Sequence, residues 1–365
     1  MGSPFAALPG AVMADGSAAP AHYGAPLREQ ALLDAGEALV HAADRAVVEV
    51  AGEDRLTWLD SITSQALGAL EPGRSTELLV LDPHGHIEHA ASVVDDGERA
   101  WLIVDADGAD ALVAWLRRMV FRSRVSVGRR DDLAVVGYAR SESPAARAVL
   151  EHGAPVATWR DPWDAVSAGG HQYAVMVPHP GAGREWHEAI VTEDGLAALA
   201  ASGIAAAGLL AAEALRIAAW RPRRANEVDA RTLPHELDWL RTAVHLNKGC
   251  YRGQETVAKV HNLGHPPRRL VFLHLDGSDT VLPGPGAVVT ADGAEIGRIT
   301  SSALHHEDGP IALAVVKRSL AVDASLQVLT DDGPVAASQQ EIVPRDAGAA
   351  ASVPRLPRLS SRARG

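Results

Sequence analysis

The chain has one cysteine in 365 residues, and only three of its 34 basic side chains are lysines (Lys248, Lys259 and Lys317). A single thiol cannot close an intramolecular disulfide, so a reducing, cytoplasmic setting is expected. One thiolate also falls short of the four that usually hold an iron–sulfur cluster, so any cluster here would need ligands from a partner. Aromatics make up only 4% of the chain. No uncharged apolar run reaches the roughly 18 residues needed to span a bilayer, and no membrane association is expected. The first 22 residues have neither a basic n-region nor a leucine-rich core, which argues against a secretory leader. Positive charge is scarce too: a net charge of −12 argues against a general nucleic-acid binder. What is present is ordinary globular material, 47% apolar and 22% charged. At about 150 residues per domain it fills two to three domains.

Residues 1–23 and 344–365 are rich in small residues and proline, and are expected to be disordered ends. The second carries Arg355, Arg358, Arg362 and Arg364 as a loose basic tail. Between them, strands are predicted at Ala46–Val50, Leu78–Leu81, Ile87–Val94, Trp101–Val104, Leu133–Tyr138 and Gln172–Val177. Asp82-Pro83-His84-Gly85 suits the turn of a hairpin. Helices are predicted from Leu56 to Leu70, at Ala109–Phe121, Ser143–Leu150, Leu196–Ser202 and Gly208–Trp220, and over Leu237–Leu246. Two successive blocks of this kind suggest two related α+β units over residues 24–264. After His265-Pro266-Pro267, short β runs separated by Gly, Pro and Asp predict a small antiparallel barrel or sandwich over residues 265–343.

Residues 248–255, Lys-Gly-Cys-Tyr-Arg-Gly-Gln-Glu, hold the sole cysteine beside a rare lysine. A chain that otherwise prefers arginine has placed a compact ammonium here rather than a planar guanidinium. Lys248 and Arg252 could favour the Cys250 thiolate, and a helix opening at Gly253 would add its N-terminal amides. Tyr251 offers a ring to stack on, and Gln254 and Glu255 offer polar groups to a heterocycle. The alternative is a structural cysteine in a glycine-rich turn.

This octapeptide resembles the K-G-C-Y/F-x-G-Q-E signature of the YgfZ-type folate-binding proteins, relatives of the glycine-cleavage T-protein (aminomethyltransferase). The resemblance spans roughly residues 24–343 and includes Leu215-Arg216-Ile217, Gly297-Arg298-Ile299-Thr300-Ser301 and Ile311-Ala312-Leu313-Ala314. It implies two ferredoxin-like α+β lobes forming a folate-binding region, followed by an antiparallel β-barrel. It also implies tetrahydrofolate in a central channel, with Cys250 and Lys248 as reactive residues. Tyr251, Gln254, Glu255, Arg216 and Glu88 would be near the ligand, and Trp220, beside the basic run, is a candidate to stack on its pterin. Iron–sulfur client or assembly proteins are the implied partners.

One departure bears on the chemistry. The T-protein has a Gly-Gly-x-x-Asp-Asp stretch where this chain has Gly85-His86-Ile87-Glu88-His89, without aspartate. Folate binding with thiol chemistry in iron–sulfur assembly or repair is therefore the leading expectation. One-carbon transfer and a tRNA-modification accessory role are the alternatives. The tRNA reading draws on residues 216–269, where 11 Lys and Arg face 5 Asp and Glu. There Arg216, Arg221, Arg223, Arg224 and Lys248 are expected to frame a channel that attracts an anion. His84, His86 and His89 are not expected to bind metal, because His86 and His89 point to opposite faces of a strand.

Overall fold

The computed structural model describes residues 2–14, 16–277 and 281–351. Its first sheet has five antiparallel strands in the spatial order Ser75–Leu81, Ile87–Asp95, Arg99–Asp105, Arg45–Ala51 and Ser126–Arg129. Alternation gives its central strands two apolar faces. Val48, Leu102 and Val104 pack under the helices Arg55–Ile62 and Ala109–Met119. Val47 and Ile103 point the other way, against Val40, Val135, Trp186 and Ile190 of a second sheet.

That second sheet runs Ala157–Arg160, Trp186–Thr192, Leu133–Ala139, Ala38–His41 and Ala205–Ala206. Its fourth strand precedes the whole first sheet in sequence, pairing Leu39 with Tyr138. The lobes are therefore interleaved rather than successive, a long-range pairing that local patterning cannot reveal. Six strands from Arg268–Leu275 to Gly333–Glu341 close an antiparallel barrel, giving the expected α+β fold with a terminal β-barrel. A further apolar cluster, including Trp220, Leu240, Tyr251 and Val257, joins the barrel to the hairpin end of the first sheet.

The helix predicted from Leu56 to Leu70 ends at Ile62, with Thr63 extended, and two further local predictions fail for one shared reason. Gln172–Val177 is not a strand, and Leu237–Leu246 is not a helix but contains parts of two 3-10 turns, Pro234–Leu237 and Trp239–Arg241. Between those turns Asp238 takes a left-handed conformation (φ 56°). Its carboxylate accepts the backbone N–H of Tyr173 at 2.6 Å and of Ala174 at 3.4 Å. One buried side chain thus interrupts the helix and occupies amides that a strand would have paired.

The ends also depart from expectation. Phe5 is 1% exposed and packs with Leu39 and Tyr138, anchoring a 3-10 turn at Pro4–Ala7. Val12–Met13 pairs with Pro20–His22. The expectation of disorder rested on composition, which gave no weight to Phe5 or to Tyr23, whose hydroxyl donates to the Phe5 carbonyl at 3.2 Å. Residues 344–351 are likewise docked: the amides of Ala349 and Ala350 donate to the carbonyls of Gly264 and His261 at 2.8 and 2.9 Å. They thereby satisfy orphan carbonyls at the end of the Gln254–Leu263 helix. Arg355, Arg358, Arg362 and Arg364 lie outside the described residues.

Candidate functional site

Where the two sheets diverge they leave a central cavity of about 330 Å³, closed by the Leu209–Ala218 helix and the segment that follows it. Its walls combine Trp159 and Trp186 with a dense set of ion pairs. Arg45 binds Asp105 at 2.9 Å and Glu188 at 3.1 Å, while Arg223 binds Asp105 at 2.6 Å. Burial opposes ionisation of Asp105, but the Arg223 and Arg45 guanidiniums outweigh it and hold its carboxyl at about 2. Arg221 meets Glu77 through two parallel contacts (2.8 and 3.1 Å) and Asp161 at 3.2 Å. Glu77 also accepts from Trp239 Nε1 and from the Thr242 hydroxyl, so it is fully engaged.

Two groups in this cavity are less committed. Glu188 is paired through Oε2 alone, and among the described residues its Oε1 has no hydrogen-bond partner. Arg184 touches Asp161 only at 3.5 Å and lies 4.9 Å from the centroid of the Trp186 ring. Burial pulls the Arg184 guanidinium below its usual pKa. A carboxylate oxygen, a loosely held guanidinium and aromatic walls complement a flat heterocycle whose edge carries both donors and acceptors. Sequence reasoning missed Glu188 and Arg184. The available signal was a glutamate inside the apolar Trp186–Thr192 strand, a position where an acid is rarely placed without a use.

The octapeptide lies elsewhere, against the hairpin turn. Lys248 has a side chain only 3% exposed. Its ammonium donates to the carbonyl oxygens of Asp60, Thr63 and Gln65, the latter two at 2.9 and 2.8 Å. Three acceptors around one point suit three rotatable ammonium hydrogens and not a planar fork, which accounts for lysine here. Burial lowers the pKa of Lys248. The same ammonium sits 5.4 Å from the centroid of the Tyr251 ring, and burial pushes the Tyr251 phenol up. Cys250 is exposed. Gly253, at φ 84°, precedes the Gln254–Leu263 helix, and Gln254 Nε2 donates to the Lys248 carbonyl at 3.2 Å. Glu255 is exposed on that helix. Arg252 reaches across to Glu88 of the hairpin at 2.8 Å.

The predicted site residues are thus divided. Arg216 lines the central cavity, but its guanidinium is held by Glu213 (2.6 Å), Glu227 (3.0 Å) and Ser301 (2.6 Å). Trp220 is 1% exposed, in edge contact with His179 and tilted against Phe272, so it is a core residue with no face free for a ligand. Lys248, Cys250, Tyr251, Gln254 and Glu255 are not among the residues lining the cavity. Glu88 lines a neighbouring cleft instead. The expected cationic channel is corrected as well: Arg216, Arg221 and Arg223 are buried or nearly so and matched by carboxylates, nearby ones (Glu213 and Glu227) for Arg216 and ones from distant segments for the other two. They present no exposed basic track to a nucleic-acid backbone.

Residues 268–343 match the family described as glycine cleavage T-protein C-terminal barrel domain. An aminomethyltransferase of Stenotrophomonas maltophilia is 26% identical over 75% of this chain and 76% of its own length. One from a Nostoc species is 27% identical over 74% of each. A putative chloroplastic transferase of Arabidopsis thaliana is 33% identical over 124 residues, so the match spans 34% of this chain and only 28% of that protein. The crystal structure of the glycine cleavage system aminomethyltransferase T from Bartonella henselae superposes with a TM-score of 0.73. That superposition covers 92% of this chain and 94% of the other at 18% identity, so the fold is T-protein-like throughout. Among the described residues, no helix is long and apolar enough to cross a membrane.

Proposed function

We propose that this chain binds tetrahydrofolate in its central cavity and supports the assembly or repair of iron–sulfur proteins through Cys250. The observation that carries the folate half is the Glu188–Arg184 edge between aromatic walls, within a fold shared with an aminomethyltransferase. Glu188 Oε1 would accept from the amino and ring N–H groups of a pterin, and Arg184 would donate to its carbonyl. Bound there, tetrahydrofolate supplies a one-carbon acceptor.

The thiol half rests on the octapeptide. Cys250 is the sole thiol of the sequence, and it is exposed on a segment anchored at Lys248 and Tyr251. Lys248 serves this reading as a positioning residue, holding the segment through the three carbonyls. The similarity to aminomethyltransferases over three quarters of the chain favours one-carbon transfer as the second reading. Against it, the hairpin carboxylate present, Glu88, is paired with Arg252.

Calorimetric titration with tetrahydrofolate tests the first half. Micromolar or tighter binding by the wild type, reduced about tenfold or more in Glu188→Gln, is expected. Absence of binding sinks the folate reading. For the second half, Cys250→Ala should retain folate binding yet fail to restore iron–sulfur enzyme activities in cells lacking the protein. Full restoration removes the thiol role, and turnover of an aminomethyl donor would establish the transferase reading instead.

A further inference from the structure

His171, Tyr173 and His261 form a cluster away from the residues that line the central cavity and the cleft at Glu88. His171 and Tyr173 sit on the segment that Asp238 holds, and their rings meet edge to face with centroids 4.8 Å apart. The His171 amide donates to the Leu240 carbonyl at 3.0 Å, which fixes the start of that segment. His261 faces them from the last turn of the Gln254–Leu263 helix. Its Nδ1 lies 3.0 Å from the Tyr173 hydroxyl, and its ring centroid lies 4.6 Å from that of His171 at an interplanar angle of 68°. Tyr173 is buried, and both imidazoles are half-buried. Apart from the contact with the Tyr173 hydroxyl, neither imidazole makes a hydrogen bond among the described residues.

These spacings are those of ligands on adjacent positions of one ion. Two imidazoles bound side by side at about 2.1 Å place their ring centroids roughly 4.5–5.2 Å apart. An imidazole nitrogen and a phenolate oxygen in the same relation lie about 3 Å apart. Burial lowers the pKa of both histidines, which keeps them in the neutral form that binds metal. The other close pair, His305 and His306, is committed: His305 Nδ1 accepts from the Glu307 and Asp308 amides and faces the Asp308 carboxylate. Among the described residues, no three His, Cys, Asp and Glu side chains are placed to hold a metal ion, so the third donor at His171 and His261 is the phenol.

We infer that His171, His261 and Tyr173 form a binding site for a divalent transition-metal ion of the copper or zinc type. Imidazole nitrogen with one phenolate oxygen suits these ions and not magnesium or calcium. Water reaches the half-buried imidazoles and fills the remaining positions. The ion displaces the proton shared by Tyr173 and His261, and that proton leaves to solvent, so affinity rises with pH.

The test is titration of the untagged full chain with Cu²⁺, followed by calorimetry and by visible absorption. One ion per chain should bind with a micromolar or tighter dissociation constant, with the charge-transfer band of a copper-bound phenolate. Tyr173→Phe should abolish the band, and His171→Gln and His261→Gln should each weaken binding about tenfold or more. His305→Gln should leave the affinity and the band as in the wild type. Circular dichroism establishes that each variant is folded before titration, and the band on the wild type is read without any variant. Absence of stoichiometric binding, absence of the band, or an affinity that survives both His171→Gln and His261→Gln overturns the site.

Discussion

Gly85 and Gly253 meet at the junction of the hairpin and the octapeptide: a Cβ built on Gly253 would lie 3.1 Å from the Gly85 Cα and 2.6 Å from the Asp82 carbonyl oxygen. Both residues adopt positive φ, 83° and 84°. The contact fixes the cysteine segment against the turn of the first sheet, and the Arg252–Glu88 pair ties the same two elements a few residues on. A side chain at Gly253 meets a backbone carbonyl and an unfavourable φ at once. Gly253→Ala should therefore cost about 1–3 kcal/mol, read from the urea midpoint. Gly249→Ala, which meets open space, should change the midpoint little. Equal effects from the two substitutions would remove the packing argument.

Lys248 gives a second prediction from the same segment. Its ammonium gathers three carbonyls that follow or end the Arg55–Ile62 helix. Lys248→Met leaves those acceptors without their donor and should lower stability by about 1–3 kcal/mol. Lys248→Arg should not restore it, because a planar fork cannot converge on three carbonyls around one point. Recovery of the wild-type urea midpoint by Lys248→Arg would remove the three-carbonyl argument.

Much of this arrangement was legible in the sequence, for reasons that differ by residue. The hairpin declared itself through Asp82, Pro83 and Gly85, residues whose local preferences demand a turn. The octapeptide declared itself through rarity and glycine content. Hidden were the features that depend on distant partners. The carbonyls chosen by Lys248 lie more than 180 residues away, and the carboxylates facing Arg221 and Arg223 come from both lobes. A run of arginines looks like an anion site until the fold supplies those acids. Trp220 beside that run looked available for stacking, whereas its positive φ of 58° turns it into the core.

Arg216 illustrates how far a buried network limits simple mutagenesis. Its guanidinium links the Leu209–Ala218 helix to Ser301 in the barrel and neutralises Glu227, whose side chain is fully buried. Arg216→Ala leaves that charge without its partner and should cost about 3–5 kcal/mol, with unfolding followed by circular dichroism in urea. Loss of ligand binding in that variant would then follow from unfolding alone. A stability loss below about 1 kcal/mol would show that Glu227 is satisfied without the arginine.

The pH dependence of stability should contain two opposing parts. Burial lowers His41, His89, His179 and His235 to about 4, below an unfolded value near 6.5. In that interval the unfolded chain binds more protons, so stability is present above pH about 6.5 and falls as pH drops toward 4. His179 gives the structural reason: its Nδ1 accepts the Gly181 amide at 2.9 Å, and protonation removes that acceptor. Asp238 has the opposite sign. Burial raises its carboxyl to about 7, against an unfolded value near 3.9. The native state then holds the extra proton, and this contribution is complete below pH about 4 and lost as pH rises through 7. With these four histidines, joined in the same direction by the burial-lowered His171, His187, His261 and His305, against the burial-raised Asp238 and Glu236, stability should climb between pH 4.5 and 6.5. Asp238→Asn should make that climb steeper by removing the descending part, and His179→Gln should make it shallower. Urea midpoints at pH 4.5, 5.5, 6.5 and 7.5 separate these effects. An Asp238→Asn curve parallel to the wild type over that range would mean that Asp238 is ionised throughout, its charge held by the Tyr173 and Ala174 amides.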